Sequence, residues 1–187
     1  MNGSTRFIII SVLTGETARR FDDARRQTCL IGSSQAALAY PPHLTLRTGV
    51  LVPDSMIDGF LMEFSAVVGL WTAFPVNTEG TFVSRYRDGA LLKNLVGYKV
   101  RKDPPLAELN RRLLGYEKWR ASDRLHFEPH LTLAFDDLTD DGVRAIQQWW
   151  EKEPEVLPDG LQWSCDNIGL YRREQDAWIV FREWRAA

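Results

Sequence analysis

The chain has 187 residues, with 23 Lys and Arg against 25 Asp and Glu and a formal net charge of −2. That balance argues against long nucleic acid as the main partner, because proteins that track a phosphate backbone carry a strong basic excess, whereas a small phosphate ligand in a locally positive cleft is compatible with it. With 44% hydrophobic and 26% charged residues the chain reads as a globular protein able to bury a core. No apolar run approaches the roughly 18 residues that cross a bilayer, and Arg6 precedes only the short run Phe7 to Leu13, so neither a membrane span nor a secretory leader is expected and the expected location is cytoplasmic.

In chain order, residues 7 to 13 read as a buried strand, and the stretch to about Cys29 carries Ala18, Phe21 and Ala24 at helical spacing. A loop of polar and small residues leads to a strand from His43 to Leu51. Asp54 is a candidate cap for a helix marked by Ile57, Phe60, Leu61, Phe64 and Val68, which should stop near Gly69. Strands at about 74–86 and 90–100 flank Asp88-Gly89, a strong hairpin signal. Asp103 and Pro104 open a helix with Leu106, Leu109, Leu113 and Leu114 on its apolar face and Gly115 at its end. After a loop from Tyr116 to Pro129 comes a strand from His130 to about Phe135. A helix near Asp140 to Lys152 turns Val143, Ile146, Trp149 and Trp150 inward, and strands at about 161–171 and 177–184 close the chain. Strand, helix, strand, helix, strand is thus run twice, at about 6–86 and 90–171, with no linker long enough to separate two domains; the expectation is a single bilobal domain over 1–187.

The chemistry lies in a pentapeptide that occurs twice: Pro42-His43-Leu44-Thr45-Leu46 and Pro129-His130-Leu131-Thr132-Leu133, with the histidines 87 residues apart. On a strand, His and Thr two residues apart project from one face while the leucine between them points into the core. Two such pairs facing a shared cleft suit phosphodiester cleavage. A neutral imidazole takes a proton from the attacking oxygen, a protonated one gives a proton to the departing oxygen, and threonine hydroxyls hold the non-bridging oxygens. Which histidine plays which part is open at this level, and the arrangement calls for no metal.

Cys29 and Cys165 are isolated, so reduced, partly buried thiols are expected rather than a disulfide or zinc site. His126-x-x-x-His130 has metal-pair spacing, but Pro129 breaks the helix such a pair needs and His130 is better placed on a strand.

The paired His-x-Thr motifs, each on a strand and each preceded by proline, resemble the 2H phosphoesterase superfamily, which includes the 2′-5′ RNA ligases and the cyclic phosphodiesterases. The resemblance implies an α+β, bilobal, pseudo-two-fold fold, with two antiparallel sheets flanked by helices around a central cleft. It also implies metal-independent cleavage of a cyclic phosphate or 2′-5′ phosphodiester in a nucleotide or RNA end, with no cofactor. His43 and His130 would be the catalytic pair, and Thr45 and Thr132 the phosphate-binding hydroxyls.

Aromatic and basic residues on strands after each motif are the further candidates for substrate contact: Tyr86, with Arg85 and Arg87, after the first, and Tyr171, Arg172 and Trp178 after the second. Arg47 shares a face with His43 and Thr45, although its counterpart Ala134 breaks the symmetry. For each of these the alternative is packing in the sheet or a solvated surface. The expected partner is a small nucleotide or RNA terminus, with no membrane, and the protein is expected to be a monomer. The alternatives in function are a nucleotide- or RNA-end-binding module that turns nothing over, and a reversible 2′-5′ RNA ligase.

Overall fold

In the computed structural model of the protein, residues 3–114, 127–154, 160–175 and 177–186 are described; His126 and most of the loop before the second motif lie outside them. The elements run β1 (Ser4–Val12), α1 (Gly15–Gly32), β2 (His43–Pro53), α2 (Ile57–Val68), β3 (Phe74–Asp88), β4 (Leu91–Val100), α3 (Pro104–Leu114), β5 (His130–Phe135), α4 (Asp140–Lys152), β6 (Gln162–Cys165), β7 (Asn167–Glu174) and β8 (Ala177–Arg185).

The local chemistry sets these bounds. Helix α1 buries the stripe Phe21, Ala24, Arg25, Thr28, Cys29 and Gly32 and ends where Ser33 turns left-handed at φ 52°, its N–H returning to the carbonyls of Cys29 and Leu30. Helix α4 is capped by the Thr139 side chain, which accepts from the Gly142 N–H, and has Asp140 and Asp141 in its first turn and Lys152 in its last, in keeping with the helix dipole. Gly89, at φ +60°, makes the expected turn between β3 and β4.

Two local expectations are corrected. Asp54 does not cap α2; it lies in a 3-10 turn, and its carboxylate accepts from the Thr5 hydroxyl at 2.8 Å, tying β1 to the end of β2. The span 161–171 is two strands broken at Asp166, because β6 pairs with β3 while β7 pairs with β1. At the break, the Asn167 amide takes both the N–H and the carbonyl of Val12 at 2.8 Å, standing in for a strand partner where β1 ends.

The strand order is β6-β3-β4-β5-β2-β1-β7-β8, with every neighbouring pair antiparallel. Two four-stranded antiparallel halves, β6-β3-β4-β5 and β2-β1-β7-β8, meet at the seam between β2 and β5, where the ladder consists of one pair, Leu44 with Leu131. The third strand of each run, β3 and β7, crosses to pair with the first strand of the other run, β4 and β1.

The helices cover one face. Helix α1 packs on β5 and α4, and α3 and α2 pack on β2. Leu44, Leu46, Leu131 and Leu133 are at most 1% exposed on this face, in one core with Phe7, Phe60, Phe64, Phe21 and Tyr98. Each such side chain contributes about 1.5–3 kcal/mol by leaving water, so the two motif strands are fixed in register by the leucines that alternate with their polar residues.

Candidate active site

Since Leu44 and Leu131 point to the helix side, His43, Thr45, His130 and Thr132 all point to the other, and all four are half-buried. The antiparallel register sets His43 across from Thr132 and Thr45 across from His130. The histidines then form a diagonal pair, for which residues stand about 7–8 Å apart with their Cβ atoms somewhat closer.

Both imidazoles are oriented by the same device. His43 Nδ1 lies 2.8 Å from the Pro41 carbonyl, and His130 Nδ1 lies 2.8 Å from the Glu128 carbonyl. A carbonyl can only accept, so in each ring Nδ1 carries the proton and Nε2 is the nitrogen that can take one up. The residues between are fixed alike: Leu13 N–H donates to the Pro42 carbonyl and Val100 N–H to the Pro129 carbonyl, each at 2.9 Å. The carbonyls that end the two motifs are held from below, Leu46 by the Asn110 amide of α3 at 2.8 Å and Leu133 by the Cys29 thiol of α1 at 3.3 Å.

The electrostatics of the two sides differ. Desolvation pushes the proton affinity of His43 down to about 4 from 6.5, outweighing its bond to Pro41, and the positive potentials of Arg25 and His130 add to the effect. Beside His43, β1 presents Val12 and Ile10; at the matching positions beside His130, β4 presents the exposed Lys99 and Gly97. A Cβ on Gly97 would sit 2.2 Å from the Leu131 carbonyl and 3.1 Å from the Phe82 ring, so only glycine lets β4 approach the second motif this closely.

The other residues singled out in the sequence fall into three groups. Arg47 is half-buried but does not simply continue the His43–Thr45 face: the ladder shifts after Thr45, so Arg47 pairs with the buried Ile9, just as the shift after Thr132 pairs the buried Ala134 with Val96. Tyr86 lies on the face of β3 that carries Phe82, toward the hairpin turn. Tyr171 is on the cleft side, since Ile10 pairs with both Thr45 and Gly169, but its ring lies over Gly169 and it is only 5% exposed, a packed wall rather than an open stacking surface. Burial, with Glu183 nearby, raises the pKa of its phenol. Trp178 shares that face on the edge strand β8, three strands from β2 in the ladder order, with the Arg173 guanidinium 6.0 Å above its ring.

Arg172 is not on the cleft face. It pairs with Phe7 in the ladder, lies 5.1 Å over the Phe181 ring and is bridged to Glu174, and both phenylalanines belong to the core beneath α2, where Phe7 stacks on Phe60. Strand alternation sends Tyr171 to one side and Arg172 to the other, so the two cannot both line the cleft. Arg85 is likewise turned to α4, bonding Asn94 at 3.2 Å and Asp140 at 2.8 Å.

Four residues not foreseen from the sequence border the quartet. Phe82 meets the His130 ring edge-on, with centroids 5.6 Å apart, and Tyr40 lies between His43 and Phe135 at 6.1 and 5.8 Å. Lys99 is directly opposite His130. Arg25, 5% exposed, bonds the Ala37 and Tyr40 carbonyls just ahead of the first motif. Its sequence signal is a charge on the apolar stripe of α1; the others show only once the register is known. An open groove of about 510 Å³ lies behind Phe82, between β3 and α4, lined by Thr81, Val83, Gln147, Trp150 and Glu151, and contains none of the quartet.

Cys29 and Cys165 are unbridged and buried, and burial pushes each thiol up to about 11, so neither supplies a nucleophile. Among the described residues no helix is long and apolar enough to cross a membrane.

A family model described as the 2′-5′ RNA ligase superfamily matches residues 15–177. A protein of Bacillus cereus (strain G9842) carrying a provisional phosphoesterase name is 28% identical over 93 residues, 50% of this chain and 51% of its own, so the match spans about half the length of that relative. Three solved structures share the fold. They are TT0787 of Thermus thermophilus (TM-score 0.68, 18% identity, 97% of each chain covered), Escherichia coli LigT with 3′-AMP (0.62, 16%, 99% of each) and Kluyveromyces marxianus Usb1 with uridine monophosphate (0.54, 12%, 95% of this chain and 96% of that one).

Proposed function

Because the chain belongs to the 2′-5′ RNA ligase superfamily of 2H phosphoesterases, we propose that it is a metal-independent phosphoesterase that cleaves a cyclic phosphate or 2′-5′ phosphodiester in a nucleotide or RNA end. The observation that carries this reading is the matched pair of imidazoles on neighbouring motif strands, each with Nδ1 committed to the carbonyl two residues earlier. The fold neighbours support a nucleotide ligand: LigT has been solved in complex with 3′-AMP, ATP and NADP+, and Usb1 with uridine monophosphate.

With the substrate phosphorus between the rings, His43, neutral at pH 7, accepts at Nε2 the proton of the attacking water as its oxygen bonds to phosphorus. His130, protonated, gives its Nε2 proton to the ribose oxygen whose bond to phosphorus breaks. Thr45 and Thr132 donate to the non-bridging oxygens, and Lys99 adds positive potential on the His130 side. The same reading takes residues 1–187 as one bilobal unit built on a repeat, which the mirrored strand order supports.

The test is hydrolysis of 2′,3′-cyclic nucleotides and short 2′-5′-linked oligonucleotides in the presence of a chelator, by wild type, His43→Ala and His130→Ala. Turnover lost in both variants is expected. Turnover that survives either substitution, or that needs an added metal, would overturn the two-histidine reading.

A further inference from the structure

We infer that Arg25 is a positioning residue for His43: from α1 it grips the carbonyls of Ala37 and Tyr40 and so sets the Pro41 carbonyl that takes the Nδ1 proton of the imidazole. The inference rests on the reading of His43 as one of two working imidazoles and adds a residue that touches neither substrate nor reacting atoms.

The loop from Ser33 to Pro42 has no strand or α-helix to hold it, yet it must deliver one carbonyl to one nitrogen. It is pinned at three places. At its start the Asp137 carboxylate, from just beyond the second motif, accepts from the Ser34 hydroxyl at 2.5 Å and from the Gln35 N–H at 2.7 Å. In its middle, Arg25 Nη1 donates to Ala37 O at 3.0 Å and to Tyr40 O at 2.7 Å. At its end, Leu13 N–H donates to Pro42 O at 2.9 Å. The Pro41 carbonyl therefore lies between two carbonyls that are held, and neither Pro41 nor Pro42 has an N–H to hold the segment in any other way. Only the middle clamp is a side chain buried under the loop.

Arg25 is itself fixed. Its Nη2 pairs with Asp22 one turn earlier and its guanidinium lies 5.9 Å from the Phe21 ring centre, so the fork has one orientation. Burial raises the Asp22 carboxyl, but the bonds from Arg25 and Arg26 outweigh it and keep it below its ordinary range, hence charged. A buried arginine on an apolar helix face costs stability unless its donors are used. Here two of those donors serve the motif loop. The second motif has no matching clamp among the described residues, because Cys29 and Asn110 act on the far ends of the motifs.

Among the described residues, the charged and titratable groups around His43 are Arg25 from α1 with its partner Asp22, Tyr40 from the loop ahead of the motif, His130 across the seam and Arg47 along β2. Long-range nitrogen–proton NMR of the imidazoles then separates a positioning role from a structural one. The proteins compared are wild type, Arg25→Lys, which keeps the charge but replaces the planar two-nitrogen fork by one nitrogen of shorter reach, and Arg25→Met. In wild type both histidines should be Nδ1-protonated in their neutral forms.

In Arg25→Lys the His43 tautomer should become mixed while that of His130 stays unchanged, with kcat on a cyclic nucleotide down about 10–100-fold and KM within about twofold, since Arg25 meets no substrate. In Arg25→Met the titration midpoint of His43 should also move up toward 6.5. Should Arg25→Met fail to fold, Arg25→Lys carries the test. A folded Arg25→Lys protein with an unaltered His43 tautomer overturns the inference, as do equal changes in both histidines. Because the tautomer is read without substrate, a wild type that hydrolyses nothing would sink the proposed activity and leave the positioning role standing or falling on its own spectra.

Discussion

His43 and His130 are held by the same hydrogen bond: each ring gives its Nδ1 proton to the carbonyl two residues earlier in the chain, at 2.8 Å. Because the acceptors are backbone atoms, the tautomer follows from the strand and loop geometry and not from a carboxylate partner. Each imidazole can then alternate between base and acid at Nε2 without turning its ring.

Replacing the threonines tests the division of labour within the quartet. Thr45→Val and Thr132→Val keep the β-branched shape that suits a strand and remove only the hydroxyl. Each should lower kcat/KM by about 10–1,000-fold, the range for losing a donor to a developing oxyanion, and leave thermal stability unchanged. A rate matching wild type in both would mean that other groups hold the phosphate oxygens.

The depressed proton affinity of His43 has a consequence for stability as well as rate. Its folded pKa, about 4, lies below the ordinary 6.5, so between these values the unfolded chain binds the extra proton. The protein must lose stability as pH falls from about 6.5 to about 4, with no further loss from this group below that. Comparing the melting temperatures of wild type and His43→Gln across this range isolates the effect, because other titrating groups are common to both. The gap should move against wild type on acidification, and a constant gap would contradict the depressed affinity. In the same window, kcat/KM should rise with pH as His43 loses its proton, and it should fall at higher pH when the acid partner loses its own.

Gly97→Ala should be costly despite its small size. The added methyl would meet the Leu131 carbonyl at 2.2 Å, and backbone cannot move aside as a flexible side chain can. Overpacking of this kind destabilises by about 1–3 kcal/mol, read by denaturant melts. Strand β5 should be pushed from β4, and activity should fall more than stability alone explains, since Thr132 is the residue paired with Gly97.

Lys99→Ala should act on binding. It is exposed beside His130, so its removal should raise KM for nucleotides by up to about fivefold, in keeping with an exposed charge interaction of about 0.2–1 kcal/mol, and leave kcat little changed. The effect should shrink in high salt; a salt-independent KM would argue that Lys99 does not meet the phosphate.

Much of the fold could be read from the chain because its two periodicities agree with its punctuation. The leucines that alternate with His and Thr, the Asp88-Gly89 turn and the Asp140–Lys152 stripe each specify one element, and each lies where the pattern puts it. What could not be read is which strand lies beside which. The division of 161–171 into β6 and β7 depends on two partners distant in sequence, β3 and β1, and nothing in Ser164-Cys165-Asp166-Asn167 announces it. The same blindness explains the site. The face of a residue relative to its own strand was legible over regular stretches, which grouped His43 with Thr45 and His130 with Thr132, but the shift that pairs Arg47 with Ile9 was not, and Arg172 and Tyr171 are neighbours in sequence on opposite faces. Lys99 and Phe82 come to His130 only through the register.

The crossing of β3 and β7 into each other's half has a kinetic side. A chain cut at the Asp88-Gly89 turn would leave neither piece with a finished sheet, since β1 needs β7 from near the end of the chain and β4 needs β3 from before the cut. On a ribosome, the half bearing His43 cannot close until residues beyond 167 have emerged. Pairings this far apart in sequence give a high contact order and slow folding. The face that carries both His-x-Thr pairs is therefore a late event in the life of the chain, assembled from both ends at once.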